Sequence, residues 1–150
     1  MTTSVSGGCQ CGNVRYRISG PLSNPHICHC RMCQKAAGNF FLPLVNAQKK
    51  DIAWTRGSPA HFHSSDAVRR GFCADCGTPL TFETLNARHL NVTIGSLDHP
   101  AALKPVTQDG VEARIGWMKD LHELPEVFTD TPAAVNHQHQ DHDTDAWPPR

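Results

Sequence analysis

Seven cysteines carry most of the chemistry that this sequence can support, and they fall into three short motifs. Two motifs are pairs, and the one between them places three thiols within six residues. The motifs are Cys9-Gln10-Cys11, Cys28-His29-Cys30-Arg31-Met32-Cys33 and Cys73-Ala74-Asp75-Cys76. Closely spaced thiols in a reducing compartment are typical of metal sites, and an odd number of cysteines argues against a complete disulfide framework.

The two outer pairs predict a closed metal site. Residues i and i+2 of a strand lie on one face, so Cys9 and Cys11 can point at one ion. Cys73 and Cys76 have the C-x-x-C spacing of a zinc knuckle, and a glycine follows each pair. We predict a structural Zn²⁺ held by these four cysteines. Buried free thiols, a redox C-x-x-C and a partition that joins the first pair to two thiols of the middle motif are the alternatives.

The middle motif, Cys28, Cys30 and Cys33, predicts a second zinc of a catalytic type, because three protein ligands leave the fourth tetrahedral position to water or substrate. Three thiolates make the ion a weak Lewis acid that suits a soft thiolate better than water activation. We therefore expect a small thiol substrate and assign catalytic roles to this triad. A closed site completed by a histidine is the alternative, and its candidates are His26, His29 and His89.

Composition limits the other possibilities. The chain of 150 residues suggests one domain, and 39% hydrophobic residues with a mean hydropathy of −0.42 suggest a modest core that metal ions would help to stabilise. Fourteen basic and fourteen acidic residues balance, so bulk charge gives no reason to expect nucleic-acid binding. Residues 1–8 lack the pattern of a signal peptide and no run is apolar enough to span a membrane, so we expect a cytoplasmic protein with no membrane partner.

Short alternating apolar stretches predict a mainly β domain with short helical turns. Residues 13–18 predict a half-buried strand with its two arginines facing solvent. Residues 31–37 predict a helix of about two turns that ends at Gly38. Further strands are expected at 26–28, 40–45 (an edge or bulge at Pro43), 68–72, 80–82, 90–94 and 111–118, with a hairpin formed by 51–55 and 60–65 and a turn or short helix at 96–103.

The chain changes character near residue 128. We expect residues 1–128 to form the zinc-binding domain. Residues 129–150 are rich in His and Asp with little to bury, which predicts a mostly disordered tail. Its histidines, His137, His139 and His142, could bind metal loosely.

The three motifs together resemble the glutathione-dependent formaldehyde-activating enzyme family, which includes centromere protein V-like domains. The residues that carry the resemblance are Gly8 to Val14, Cys28 to Cys33, Phe72 to Thr78, Gly95-Ser96-Leu97-Asp98 and Trp117. The similarity covers residues 6–128.

This resemblance implies a β-tent fold of small antiparallel sheets, with a structural zinc at the four outer cysteines and a catalytic-type zinc at the triad. It also implies a carbon–sulfur lyase or synthase that joins glutathione to formaldehyde to give S-hydroxymethylglutathione. Arg31 and Lys35, beside the triad, could then meet a glutathione carboxylate, although exposed helix charges are more often only solvated. The alternative function is a non-catalytic zinc module that binds a partner. The sequence leaves the oligomeric state open.

Overall fold

The computed structural model describes residues 4–128 and 135–139. Within them the chain is mainly β, as predicted, with one α-helix and short 3-10 helices. The strands are β1 (Val5–Gly8), β2 (Arg15–Ile18), β3 (Ser23–Cys28), β4 (Leu42–Gln48), β5 (Ile52–Arg56), β6 (Ala60–His63), β7 (Val68–Phe72), β8 (Pro79–Thr84), β9 (His89–Thr93) and β10 (Thr107–Asp109). The helix α1 is Arg31–Ala37, and the 3-10 helices are Lys49–Asp51, Ile94–Ser96, Pro100–Ala102, Val111–Ala113 and Gly116–Glu123. None of the described helices is long and apolar enough to cross a bilayer.

The strands form two sheets. The smaller sheet has the order β1-β2-β5, and the larger has the order β10-β3-β4-β9-β8-β7-β6. Neighbouring strands are antiparallel except for β10, which pairs in parallel with β3 and places Asp109 opposite Cys28. The larger sheet therefore carries the predicted triad near one edge and leads into the second cysteine pair through β7.

The main core lies among strands of both sheets. Tyr16 and Ile18 of β2 pack in the same buried cluster as Val45 of β4, Leu80 of β8 and Val92 of β9. Three of the outer cysteines belong to this cluster, whereas Cys33 packs with Leu42 and Leu44 in a smaller one. Burying one such aliphatic side chain contributes about 1.5–3 kcal/mol, so this packing supplies much of the fold's stability.

Helix α1 follows its predicted bounds. Cys30 is the N-cap, and its sulfur accepts a hydrogen bond from the Cys33 amide at 3.4 Å. Gly38 ends the helix in the left-handed conformation, with φ 59° and an amide that donates back to the Lys35 carbonyl. A thiol therefore takes the place of the usual hydroxyl or carboxylate cap.

Three of the predictions about strands need correction. The hairpin of 51–55 and 60–65 is wrong, because β5 pairs with β2 and β6 pairs with β7 in the other sheet. Pro43 lies in an inner strand, just before the β4–β9 ladder begins at Leu44, so its missing donor costs that ladder nothing. The last predicted strand, 111–118, consists instead of 3-10 turns, and the short strand β10 precedes it.

Arg15 departs from the predicted alternation, because its side chain is buried with 4% exposure instead of facing solvent. Its two terminal nitrogens donate to the two oxygens of Asp98 at 2.8 and 2.6 Å. Ser6 Oγ donates to the same carboxylate at 2.5 Å. A planar bidentate pair of this kind is the arrangement in which a buried charge is best compensated. It joins β1 and β2 to the loop after residue 96.

We expect Asp98→Asn to lower the free energy of unfolding by about 3–5 kcal/mol at pH 7, because it leaves the buried Arg15 guanidinium uncompensated. Urea denaturation followed by circular dichroism measures this loss. Asp120→Asn, at an exposed carboxylate, is the control and should change stability by less than about 0.5 kcal/mol.

The difference in unfolding free energy between wild type and Asp98→Asn should also depend on pH. Burial raises the pKa of Asp98, but hydrogen bonds from Arg15 and Ser6 outweigh it and hold the pKa below its usual value. The ionised pair therefore contributes fully above the ordinary aspartate pKa, and its contribution is lost as pH falls through the lowered folded-state pKa. Equal stability of wild type and Asp98→Asn at pH 7 would contradict the assignment.

Candidate metal centres

The fold brings the four outer cysteines together. The sulfurs of Cys9, Cys11, Cys73 and Cys76 lie within 4.8 Å of one another, and this group could hold a metal ion. Cys11 Sγ lies 3.5 Å from Cys9 Sγ and 3.8 Å from Cys73 Sγ. A tetrahedral ion with Zn–S bonds of about 2.3 Å separates its sulfurs by about 3.8 Å, so the donor set fits zinc in type and spacing. All four are free thiols.

The two glycines after the pairs explain the local geometry. Gly12 and Gly77 have φ of 78° and 77°, a left-handed conformation that residues with a Cβ rarely adopt. Each donates its amide to the carbonyl of the first cysteine in its pair, at 3.0 and 2.9 Å. The turn directs the next polar groups at the sulfurs: the Val14 amide donates to Cys9 Sγ at 3.2 Å, as expected for a metal-binding knuckle.

The thiols of this group differ in how easily they ionise. Burial raises the pKa of Cys9 to about 12. Burial also opposes ionisation of Cys76, but the Thr78 hydroxyl and amide outweigh it and lower the pKa of Cys76 to about 6. A bound dication would favour the thiolate at every position, so metal binding would release protons from the buried thiols.

The triad also converges. The sulfurs of Cys28, Cys30 and Cys33 lie within 4.8 Å of one another and could hold a metal ion. Cys28 ends β3, Cys30 caps α1 and Cys33 lies in the first helical turn, so the strand-to-helix junction creates the group. No histidine or carboxylate of the described residues joins these three sulfurs.

The three candidate histidines lie elsewhere. His29 is 1% exposed, and its Nε2 shares a hydrogen bond of 2.9 Å with Gln108 Oε1 on β10. His26 donates Nδ1–H to the Asn24 carbonyl at 2.8 Å, and its Nε2 lies 3.7 Å from an Asp109 oxygen. His26 and His89 line a cavity beside the triad, whereas His29 does not.

This cavity has a volume of about 360 Å³ and reaches all three triad cysteines. Leu44, Phe82 and Met32 supply the apolar part of the wall, and amides and ionisable groups supply most of the rest. The polar lining includes Asn46, Asn91, His89, Asp109 and Arg70. A small molecule with polar ends could therefore lie against the triad sulfurs.

Arg70 also lines this cavity, and the sequence pattern does not distinguish it from the neighbouring Arg69. It is 8% exposed, and its guanidinium stacks 4.9 Å above the Phe82 ring. Its Nη2 donates to Cys33 Sγ at 3.5 Å. Burial raises the pKa of Cys33, and Arg70 opposes that rise. The neighbouring Arg69 pairs instead with Glu83, so adjacent arginines have different roles.

The aromatic residues flanking the site pack in different ways. Trp54 lies away from the triad cavity and packs edge-on against Tyr16 of the main core. Trp117 is half exposed and meets Phe40 edge-on at 4.6 Å. Neither Phe40 nor Phe41 is buried, and Phe41 contacts the His29 ring.

One histidine of the predicted tail packs against the loop that contains the first cysteine pair. His139 is buried, and its amide donates to the Gln10 carbonyl at 2.7 Å. A Cβ on Gly12 would lie 2.2 Å from the His139 ring, so the glycine permits this close approach. His137 is exposed, and His142 lies outside the described residues, as does most of the predicted tail.

Fold and site together define a small β domain with two thiol-rich groups, one of them beside a cavity. A protein-family model described as "Glutathione-dependent formaldehyde-activating enzyme" matches residues 4–112. The chain therefore belongs to the glutathione-dependent formaldehyde-activating enzyme family, which confirms the resemblance drawn from its motifs.

The crystal structure of a Rhodobacter sphaeroides protein, a structural genomics target, matches with a TM-score of 0.56 and 20% sequence identity. The match covers 69% of this chain and 98% of that chain. At this identity the likeness establishes a shared fold. No curated protein sequence matches the chain significantly.

We expect His139→Ala to speed hydrogen exchange of the Gly12 and Val14 amides about five- to tenfold, because the buried ring no longer covers their loop. Exchange measured by NMR on the full chain tests this. His137→Ala removes an exposed ring from the same segment and should leave both rates unchanged. Identical rates in wild type and His139→Ala would show that the contact does not stabilise the loop.

Proposed function

We propose that the protein is a zinc-dependent carbon–sulfur lyase or synthase that joins glutathione to formaldehyde as S-hydroxymethylglutathione. The observation that supports this best is a triad of cysteines without a fourth protein donor among the described residues, open to a cavity. Membership of the family supplies the candidate thiol and aldehyde. The two cysteine groups receive different roles in this proposal.

The donor chemistry of the triad fits zinc, because thiolates are its preferred soft ligands and all three side chains are free thiols. When bound, the ion would offer its fourth position to the substrate sulfur and favour the thiolate form there. Arg70 would offset part of the negative charge that three thiolates place in this buried corner. It would also fix the position of Cys33.

The reaction needs few groups beyond a held sulfur and a nearby aldehyde. The sulfur–carbon bond forms as the carbonyl π bond breaks, and the thiol proton ends on the new hydroxyl oxygen. The reverse reaction releases the aldehyde. Holding the two reactants together in the cavity would supply much of the acceleration. His26 and His89 are the imidazoles beside this space, and His29 is committed to Gln108.

The four-cysteine group would hold a structural zinc. Three of its cysteines are buried in the main core, where a substitution would disturb both the core packing and the binding of the metal ion. It joins the first strands to the β7–β8 turn across 62 residues of sequence. Structural zinc sites supply folding free energy directly, on the order of 10 kcal/mol or more.

The two groups should respond differently to substitution. Cys76→Ala is expected to unfold the protein, because it breaks a closed site built into the core, whereas Cys30→Ala should leave a folded, inactive protein with one zinc. Circular dichroism and zinc content by atomic emission measure the outcomes, and wild type should hold two zinc ions per chain. Unfolding of Cys30→Ala as severe as that of Cys76→Ala would make the triad structural and refute the enzymatic proposal.

Cobalt substitution tests the open position of the triad. We expect the visible absorption of the Co²⁺ protein to change when glutathione is added, because a new sulfur ligand alters the charge-transfer bands. Cys30→Ala should lose this response. Two Co²⁺ sites whose spectra are insensitive to any thiol would favour the non-catalytic zinc module.

A further inference from the structure

A second concavity, of about 370 Å³, is lined by residues of α1, β6 and β7 and adjoins the triad cavity. Its apolar floor contains two exposed side chains, Met32 at 59% and Phe62 at 62% exposure. Its cations are Arg31, Lys35 and Arg70, and its lining contains no carboxylate. We name this feature the α1 groove.

Two cations of the α1 groove, Arg31 and Lys35, have no carboxylate partner among the described residues, and the third, Arg70, faces Cys33 Sγ. Arg31 and Lys35 are four residues apart on one helical face, where two like charges destabilise a helix. Neither they nor Arg70 form an ion pair with a carboxylate among the described residues. The stability of the helix therefore does not explain why these two cations lie together, whereas an anion bound in the groove would offset their repulsion.

The structure fixes the direction of one of these cations. Arg31 Nη1 donates to Gln34 Oε1 at 3.1 Å. Gln34 is itself 4% exposed and held by two further bonds from its Nε2, to the carbonyls of His29 and Ala113. The guanidinium is thus positioned by a buried amide, which lowers the entropy lost when it binds an anion.

The groove and the triad cavity are continuous through two residues, because Met32 and Arg70 line both. Arg70 faces the triad sulfur Cys33 and also the groove. A molecule with its sulfur at the triad could therefore extend a carboxylate past Met32 to the cations of α1.

We propose that the α1 groove is a carboxylate subsite that selects anionic thiols over neutral ones. This inference rests on the proposed function, because it extends the same substrate beyond the triad. The carboxylate would accept hydrogen bonds from Arg31 and Lys35, and the apolar floor would cover the chain between sulfur and carboxylate.

The test compares glutathione with its diethyl ester, which has the same thiol and no free carboxylate. Each is titrated into the Co²⁺-substituted full chain, and dissociation constants come from the absorption change. Wild type should bind glutathione more tightly than the ester. The double variant Arg31→Gln with Lys35→Gln should weaken glutathione binding by about tenfold, as expected for two partly exposed charge-assisted contacts, and leave ester binding unchanged. Lys50→Gln removes an exposed lysine elsewhere and should change neither.

A second readout does not depend on the metal-bound sulfur. S-methylglutathione keeps both carboxylates and lacks a thiol, and NMR shifts of Phe62 and Ala36, which both proteins retain, should report its binding to wild type but not to the double variant. Unchanged glutathione binding in the double variant, or equal weakening for glutathione and its ester, would overturn the subsite while thiol binding at the triad stands. If neither thiol changes the wild-type spectrum, the proposed function is wrong and the subsite falls with it.

Discussion

The convergence of Cys9 and Cys11 with Cys73 and Cys76 is the constraint on which most of this structure depends. It closes a loop of about 60 residues, and the chain entropy that this closure costs grows only slowly with loop length. Three of the four cysteines lie in the main hydrophobic core and Cys76 packs against it, and the same four sulfurs could hold a metal ion, so core packing and metal binding would support each other. A domain with a modest apolar content would gain from such a metal crosslink.

The convergence of the four outer cysteines also positions the side chains that surround the triad. β7 runs directly into Cys73, and β8 follows the same turn, so fixing this turn fixes Arg70 on β7 and Phe82 on β8. These two side chains stack together and form the wall that the triad faces. The two sulfur groups are therefore coupled through one hairpin, although they share no ligand.

The sequence predicted those parts of the fold that depend on interactions between residues close together in the chain. Helix α1, its glycine stop and the two cysteine groups were readable because spacing and turn chemistry act within a few residues. The partner of β5, the pairing of β10 and the burial of Arg15 depend on contacts with distant residues, and a period-2 pattern contains no information about them. The environment of Arg70 could not be predicted for the same reason. Neither its position before Cys73 nor its charge distinguishes Arg70 from Arg69, and the two side chains have different neighbours only because β7 pairs with β8.

The parallel pairing of β10 with β3 has a consequence for motion. β10 has only three residues, all exposed, at the edge of the sheet, yet it supplies Asp109 to the cavity and Gln108 to His29. An edge element with so few buried contacts opens at a much lower free energy than the core strands. We therefore expect the β10 rim of the cavity to open more readily than the strands that position the two sulfur groups. The fold thus combines two sulfur groups held by packed core residues with a cavity rim formed by a short edge strand.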